Sequence, residues 1–76
     1  MRFIDEVQEA YKRIARMPTI GSEIEDLRGT KFERRRQCTI KKFRNYIIIY
    51  SFSQDEVIIH HVFDGRRNYF ELFDEP

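Results

Sequence analysis

Residues 43–63, FRNYIIIYSFSQDEVIIHHVF, decide the fold of this chain. Two runs rich in β-branched and aromatic residues, 43–52 and 56–63, flank Ser53-Gln54-Asp55, a polar turn of hairpin length. In the first run Tyr46, Ile48 and Tyr50 occupy one parity and Ile47 and Ile49 the other. Side chains alternate across a strand, so a run apolar on both parities reads as a strand covered on two faces. The second run reads the same way. Upstream, Phe32, Arg34, Arg36, Cys38 and Ile40 alternate with Glu33, Arg35, Gln37 and Thr39. Only the end of that stretch is apolar on one face, which predicts a strand over 32–40 whose start lies in solvent. Three consecutive strands with short turns make an antiparallel meander.

Before the meander lies a helix. Phe3, Ile4, Val7, Ala10, Tyr11, Ile14 and Met17 recur at three- and four-residue steps and share one face. Glu6, Glu9, Lys12, Arg13 and Arg16 fall largely on the other, with Glu9 and Arg13 spaced as an i,i+4 pair. Pro18 ends the helix by pushing Met17 out of helical dihedrals. No Ser, Thr, Asp or Asn stands before Phe3 as a cap, so the helix begins at full amphipathic strength, as if cut. Between helix and meander, residues 19–30 form a connector. Ile20-Gly21 predicts a turn, Ser22 and Glu25 have capping-box spacing for a short helical turn, Ile24 and Leu27 anchor it, and Gly29 ends it. The expected class is α+β: an N-terminal amphipathic helix followed by a three-stranded antiparallel β-meander, one domain over residues 1–76. One helix covers one sheet face. The other face then needs a missing segment, a second copy or a bound partner, which predicts that the isolated chain is a homo-oligomer.

Length and composition bound the function. Seventy-six residues bury only roughly 60% of their unfolded surface, so the domain is marginal. The longest unbroken apolar run, residues 46–50, is far short of the ~20 residues a membrane span needs. Acidic residues at Asp5 and Glu6 come too early for a signal peptide. A single cysteine, Cys38, excludes an internal disulfide framework and a cysteine-based zinc finger, and suits the cytoplasm. The net charge of +1 conceals an uneven distribution. Residues 28–44 hold eight basic side chains and one acidic, whereas residues 45–76 hold two basic and six acidic. Such a cationic block suits an acidic partner, and its bland reading is a solvated face.

No strong catalytic motif is present: no Gly-rich phosphate loop, no His-Glu-x-x-His, no nucleophile elbow. His60 and His61 are adjacent on a predicted strand, which sends their rings to opposite faces and excludes joint chelation of one metal. Cys38 reads as a small buried hydrophobe. Arg34 and Arg36 share a face of the predicted strand, and Lys31, Lys41, Lys42 and Arg44 extend the positive charge. Arg66 and Arg67 follow a Gly turn at a strand end, suited to a carboxylate or phosphate, or to an ion pair with Asp64, Glu71 or Asp74. No metal, cofactor or catalytic residue is assigned.

Several stretches together resemble the RelE/ParE superfamily of toxins from bacterial toxin–antitoxin pairs, closer to its ParE branch. Residues 14–21, IARMPTIG, are similar to the family's helix end followed by Pro-x-x-Gly. Asp26-Leu27-Arg28 is similar to the Leu-Arg before the first meander strand, and residues 45–50, NYIIIY, resemble the apolar strand ending in Tyr. Residues 57–68, VIIHHVFDGRRN, resemble the closing strand and its Gly-x-Arg end. Family members usually begin with a strand and a further helix, so by this resemblance the chain is an N-terminally truncated form of the fold. Ribonucleases of the RelE branch carry an Arg just after the strand's first Tyr and a Tyr near the C-terminus. Here those positions resemble Ile47 and Phe73, and only Arg67 resembles a retained functional Arg.

The ParE branch implies a poison of DNA gyrase, used in plasmid stabilisation and wrapped by a Phd- or ParD-like antitoxin with an acidic tail. The alternative readings are a ribosome-dependent mRNA endoribonuclease, the one case in which direct nucleic-acid binding is expected, and an inactive oligomeric remnant. The residues expected to meet the partner are Arg34, Arg36, Lys41 and Arg67, with Arg67 close to the Arg34–Arg36 face.

Overall fold

A computed structural model describes residues 2–66. Helix α1 spans Phe3–Arg16, and a 3-10 turn follows at Pro18–Ile20. Then come a two-residue strand β1 (Ser22–Glu23), a second 3-10 turn (Glu25–Leu27), and strands β2 (Arg36–Ile40), β3 (Phe43–Phe52) and β4 (Val57–Asp64). All pairings are antiparallel, in the order β1-β2-β3-β4. The α+β class and the meander match the expectation. The fourth strand, β1, adds two pairs at the edge, Ser22 with Gln37 and Glu23 with Arg36.

Helix α1 forms as its periodicity dictates. Asp5 and Glu6 lie in the first turn and Arg13 and Arg16 in the last, each complementing the helix dipole. The start has no side-chain cap, and Met17 before Pro18 adopts φ −141°, ψ 85°, outside the helical region. Val7, Ala10 and Ile14 are buried against Ile40, Ile48 and Tyr50. Phe3 closes the far end, edge-on to Phe43 at 5.1 Å and tilted against Tyr46 at 4.7 Å. The apolar face is narrower than the periodicity suggests: Ile4 and Met17 are exposed. Glu6, assigned to the polar face, is buried. Glu9 bridges Lys12 at 3.5 Å rather than Arg13, whose Nη2 is buried without a hydrogen-bond partner among the described residues.

The second sheet face is covered around Ile49 from within the chain, and this corrects the expectation that its cover must come from elsewhere. The connector crosses to that face and buries Ile24 (3% exposed) and Leu27 (4%) against Ile49, with Phe32, Ile47 and Phe63 packed around them. Ser22 does not cap the turn; it lies in β1, and the turn beginning at Glu25 has no side-chain cap. Gly29 leaves it at φ +83°, a conformation glycine adopts without strain.

Strand β2 begins at Arg36, not Phe32. The Thr30 hydroxyl donates to the Leu27 carbonyl at 2.6 Å and accepts from the Phe32 N–H at 3.1 Å. Glu33 and Arg35 then donate back to the carbonyls of Thr30 and Phe32. These local bonds offer the backbone an alternative to the ladder, so residues 30–35 turn instead of extending. The β3–β4 hairpin turns where expected, with Ser53 N–H donating to Glu56 C=O at 2.9 Å.

A bulge interrupts the β3–β4 ladder: Tyr50 faces Ile59 and Ile49 faces His61, leaving His60 as the extra residue. It breaks strict alternation. His60 Nε2 meets Ser51 Oγ at 2.8 Å, on the face where His61 sits opposite Ile49. The two imidazoles therefore share a face, contrary to the reading from alternation alone.

Candidate partner-binding surface

The chain's sharpest local geometry is a lock between connector and sheet. The buried Tyr50 hydroxyl donates to the Pro18 carbonyl at 2.6 Å and accepts from the Gly21 N–H at 2.9 Å. Burial pushes this phenol's pKa up, with the Gly21 N–H pulling the other way, so it stays protonated and able to donate. Arg36 completes the lock: its Nη1 donates to the Gly21 carbonyl at 2.7 Å, its Nη2 stands 4.0 Å from Glu23, and its guanidinium lies 5.6 Å from the centre of the Phe52 ring. Gly21 is required here by close approach. A Cβ at this position would stand 2.5 Å from the Tyr50 oxygen and 2.7 Å from the Gln37 carbonyl. Pro18, Gly21 and Tyr50, met in the sequence as separate pieces of a resemblance, are one hydrogen-bonded unit.

Beside the lock is an open hollow of about 410 Å³ lined by Glu23, Ile24, Arg28, Glu33, Arg34, Arg36 and Phe52. It brings Arg34 and Arg36 together, with Arg28, which the sequence reading quoted in the Leu-Arg resemblance but did not assign to the partner surface. The three arginines are in different states. Arg36 is held by the lock. Arg28 lies 3.8 Å from Glu23 with both side chains largely in water, a bridge of small energetic weight. Glu33 accepts from the Gly29 N–H at 3.0 Å. Arg34 is exposed and has no hydrogen-bond or ion-pair partner among the described residues. Arg34 and Arg36 do not share a strand face, since Arg34 belongs to the turn before β2. The lining sets the apolar Ile24 and Phe52 among three arginines and the carboxylates of Glu23 and Glu33.

Lys41 is elsewhere. It sits in the two-residue turn between β2 and β3, beside Lys42, whose φ is +71°. At about 3.3 Å per residue it stands roughly 16 Å along the strand from Arg36. The cationic block is thus divided, with Arg28, Lys31, Arg34, Arg35 and Arg36 at one end of β2 and Lys41, Lys42 and Arg44 at the other. Lys31 and Arg35 both approach the Phe32 ring, at 5.1 and 4.5 Å. Arg67, Phe73 and the aromatic tail lie outside the described residues. The described chain leaves β4 beside Asn45, where Gly65 N–H donates to the Asn45 carbonyl at 2.6 Å; this is the Lys41 end of the sheet, not the Arg34–Arg36 end. Arg66 there pairs with Asp64 through Nε and Nη2.

Among the described residues no three of His, Cys, Asp or Glu gather as metal ligands do. Burial raises the Cys38 thiol pKa, with Arg13 opposing, so the thiolate is disfavoured. Burial lowers the His60 pKa, and the charges of Arg35 and His61 act in the same direction. A histidine whose folded pKa lies below its unfolded value stabilises the fold fully above about 6.5 and loses that contribution as pH falls through the folded value. The melting temperature is therefore expected to drop as pH is lowered from 6.5 towards 5. His60→Gln should flatten that part of a calorimetric pH series, and an unchanged slope in the variant refutes the assignment.

No helix among the described residues is long and apolar enough to cross a membrane. A family model described as "ParE toxin of type II toxin-antitoxin system, parDE" matches residues 1–69. No curated protein and no solved structure matches the chain.

Proposed function

Because the chain belongs to the ParE toxin family of type II toxin–antitoxin systems, we propose that it acts by binding a protein target, DNA gyrase, and that a cognate antitoxin neutralises it. The observation that carries this reading is the family match over residues 1–69. The antitoxin lays an acidic segment into the hollow beside β2, where Arg34 is the available cation and Ile24 and Phe52 offer an apolar floor. The chain alone self-associates in this reading, and what supports it is no longer a bare sheet face but the outer edge of β4, which has no strand partner among the described residues. A ribonuclease reading is less supported. Cleavage of RNA requires cations to stabilise the phosphorane and an acid for the leaving oxygen. Ile47, which stands where that branch carries an Arg, packs its side chain into the second apolar cluster.

Two assays test this. The purified chain is expected to inhibit gyrase supercoiling, and stoichiometric antitoxin is expected to relieve the inhibition. Cleavage of ribosome-bound message with gyrase unaffected overturns the target. For the surface, Arg34→Glu is expected to weaken antitoxin binding about tenfold or more, because it removes charge-assisted contacts and adds repulsion, and to reduce the salt dependence. Lys41→Glu, at the other end of the sheet, should change affinity little. Arg36→Glu is unsuitable because Arg36 belongs to the lock. Equal calorimetric affinities for wild type and Arg34→Glu remove the hollow from consideration.

A further inference from the structure

We propose that two copies of this chain pair along the outer edge of β4, strand against antiparallel strand, about a two-fold axis between His60 and His61. The proposal rests on the self-association read above and names its surface.

The backbone phase of β4 is fixed at both ends. Glu56 and Gly65 direct backbone groups toward β3, through Ser53 N–H to Glu56 C=O and Gly65 N–H to Asn45 C=O. Bonded and non-bonded pairs alternate in an antiparallel ladder. Counting by twos from Glu56, Ile58 faces β3, while Val57 and Ile59 turn outward. Counting back from Gly65, Phe63 and His61 face β3, while Val62 turns outward. The bulge at His60 reconciles the two counts. Among the described residues β4 pairs only with β3, which leaves the outward Val57, Ile59 and Val62 backbone groups without a strand partner among those residues.

A second copy fits that edge without slippage. With the axis between His60 and His61, Ile59 of each copy meets Val62 of the other. The same two residues, His60 and His61, intervene on both strands, so the bulges match and the register holds. In this register Ile58 falls opposite Phe63 of the second copy on the second sheet face. Ile58, 44% exposed, is the exposed large hydrophobic side chain of the sheet among the described residues, and this contact continues the second cluster across the junction. At the ends, Asp55 falls opposite Arg66 of the other copy, so that opposite charges face each other twice over even with Arg66 held by Asp64. Apart from the bulge at His60, the edge has few of the usual guards. No Lys, Arg, Pro or Gly interrupts residues 57–63, whereas the start of β2 on the opposite edge is paired by β1 and flanked by Arg36 and Glu23.

The test uses the full chain. Sedimentation equilibrium from micromolar to submillimolar concentration is expected to show a dimer, with the Ile59 and Val62 amides gaining exchange protection as concentration rises. Val62→Pro removes an outward N–H that β3 does not use, a position where an edge strand tolerates proline, and is expected to weaken the dimer at least about tenfold while circular dichroism stays native. A dimer as tight in Val62→Pro, with both amides unprotected in the wild type, leaves self-association standing and overturns this surface. A monomer at every concentration overturns both. Protection of the two amides that is independent of concentration means the chain covers its own edge, and protection that appears only with the antitoxin assigns the edge to that partner; either overturns the proposal.

Discussion

Tyr50→Phe is expected to destabilise the domain by about 2–4 kcal/mol while leaving its backbone intact. The ring still fills its place in the main core, so little packing is lost. What disappears is the oxygen serving two partners at once, the Gly21 N–H and the Pro18 carbonyl. Gly21 is buried, so its N–H is left without water or protein to bond, at about 1–3 kcal/mol. The Pro18 carbonyl is only partly buried and recovers some of its loss from solvent. A domain of 76 residues holds roughly 4–11 kcal/mol in total, so the melting temperature should fall by about 10–25 °C. Urea unfolding should show a lower midpoint with an unchanged slope. Gly21→Ala attacks the same unit from the other side. Its Cβ would stand 2.7 Å from the Gln37 carbonyl, a backbone atom that cannot rotate away. Removing the phenol oxygen in the double variant relieves one clash and leaves that one, so Tyr50→Phe should not rescue Gly21→Ala. A loss below about 0.5 kcal/mol in Tyr50→Phe means the lock is not what ties connector to sheet.

The lock also shows where sequence reading stops. The helix, its end at Pro18, the central apolar strand and the hairpin at Ser53 were legible because each rests on a local rule: 3.6-residue periodicity, the restriction before proline, alternation, turn chemistry. Tyr50 bonding across 29 and 32 residues to Gly21 and Pro18 follows no local rule. The same limit applies to the arginines. Alternation placed Arg34 and Arg36 on one strand face; the Thr30 hydroxyl and its neighbours turned the chain at that point. Yet the fold still brings both to one hollow, because the turn that carries Arg34 packs Phe32 onto the second face and leads directly into Arg36 at the start of β2. His60 escaped for a related reason: a bulge is a property of the strand pair, and the sequence of one strand does not announce it.

Leu27→Ala is expected to cost about 2–5 kcal/mol, an effect comparable to the loss of a central core side chain from a residue in what reads as a loop. Two sheet faces with one helix left a coverage problem, and the connector solves it by sending two apolar side chains over the far side. Leu27 and Ile24 are almost fully buried there against Ile49, which is itself inaccessible to solvent. Truncating Leu27 removes most of its apolar area and leaves a cavity beneath a segment held otherwise by short turns and one half-buried ring, Phe32. The segment should therefore loosen before the domain unfolds. Arg28, Lys31, Arg34 and Arg35 make it a natural trypsin substrate, so the variant should be nicked between residues 28 and 36 under conditions in which the wild type persists. It should also bind more of a hydrophobic dye, as Ile47 and Ile49 become accessible. Ile58→Ala is the comparator: the same face and a similar side chain, but one already exposed to water, with a loss in the monomer below about 1 kcal/mol. If Leu27→Ala is no less stable than Ile58→Ala and is cut no faster than wild type, the connector does not cover the second face.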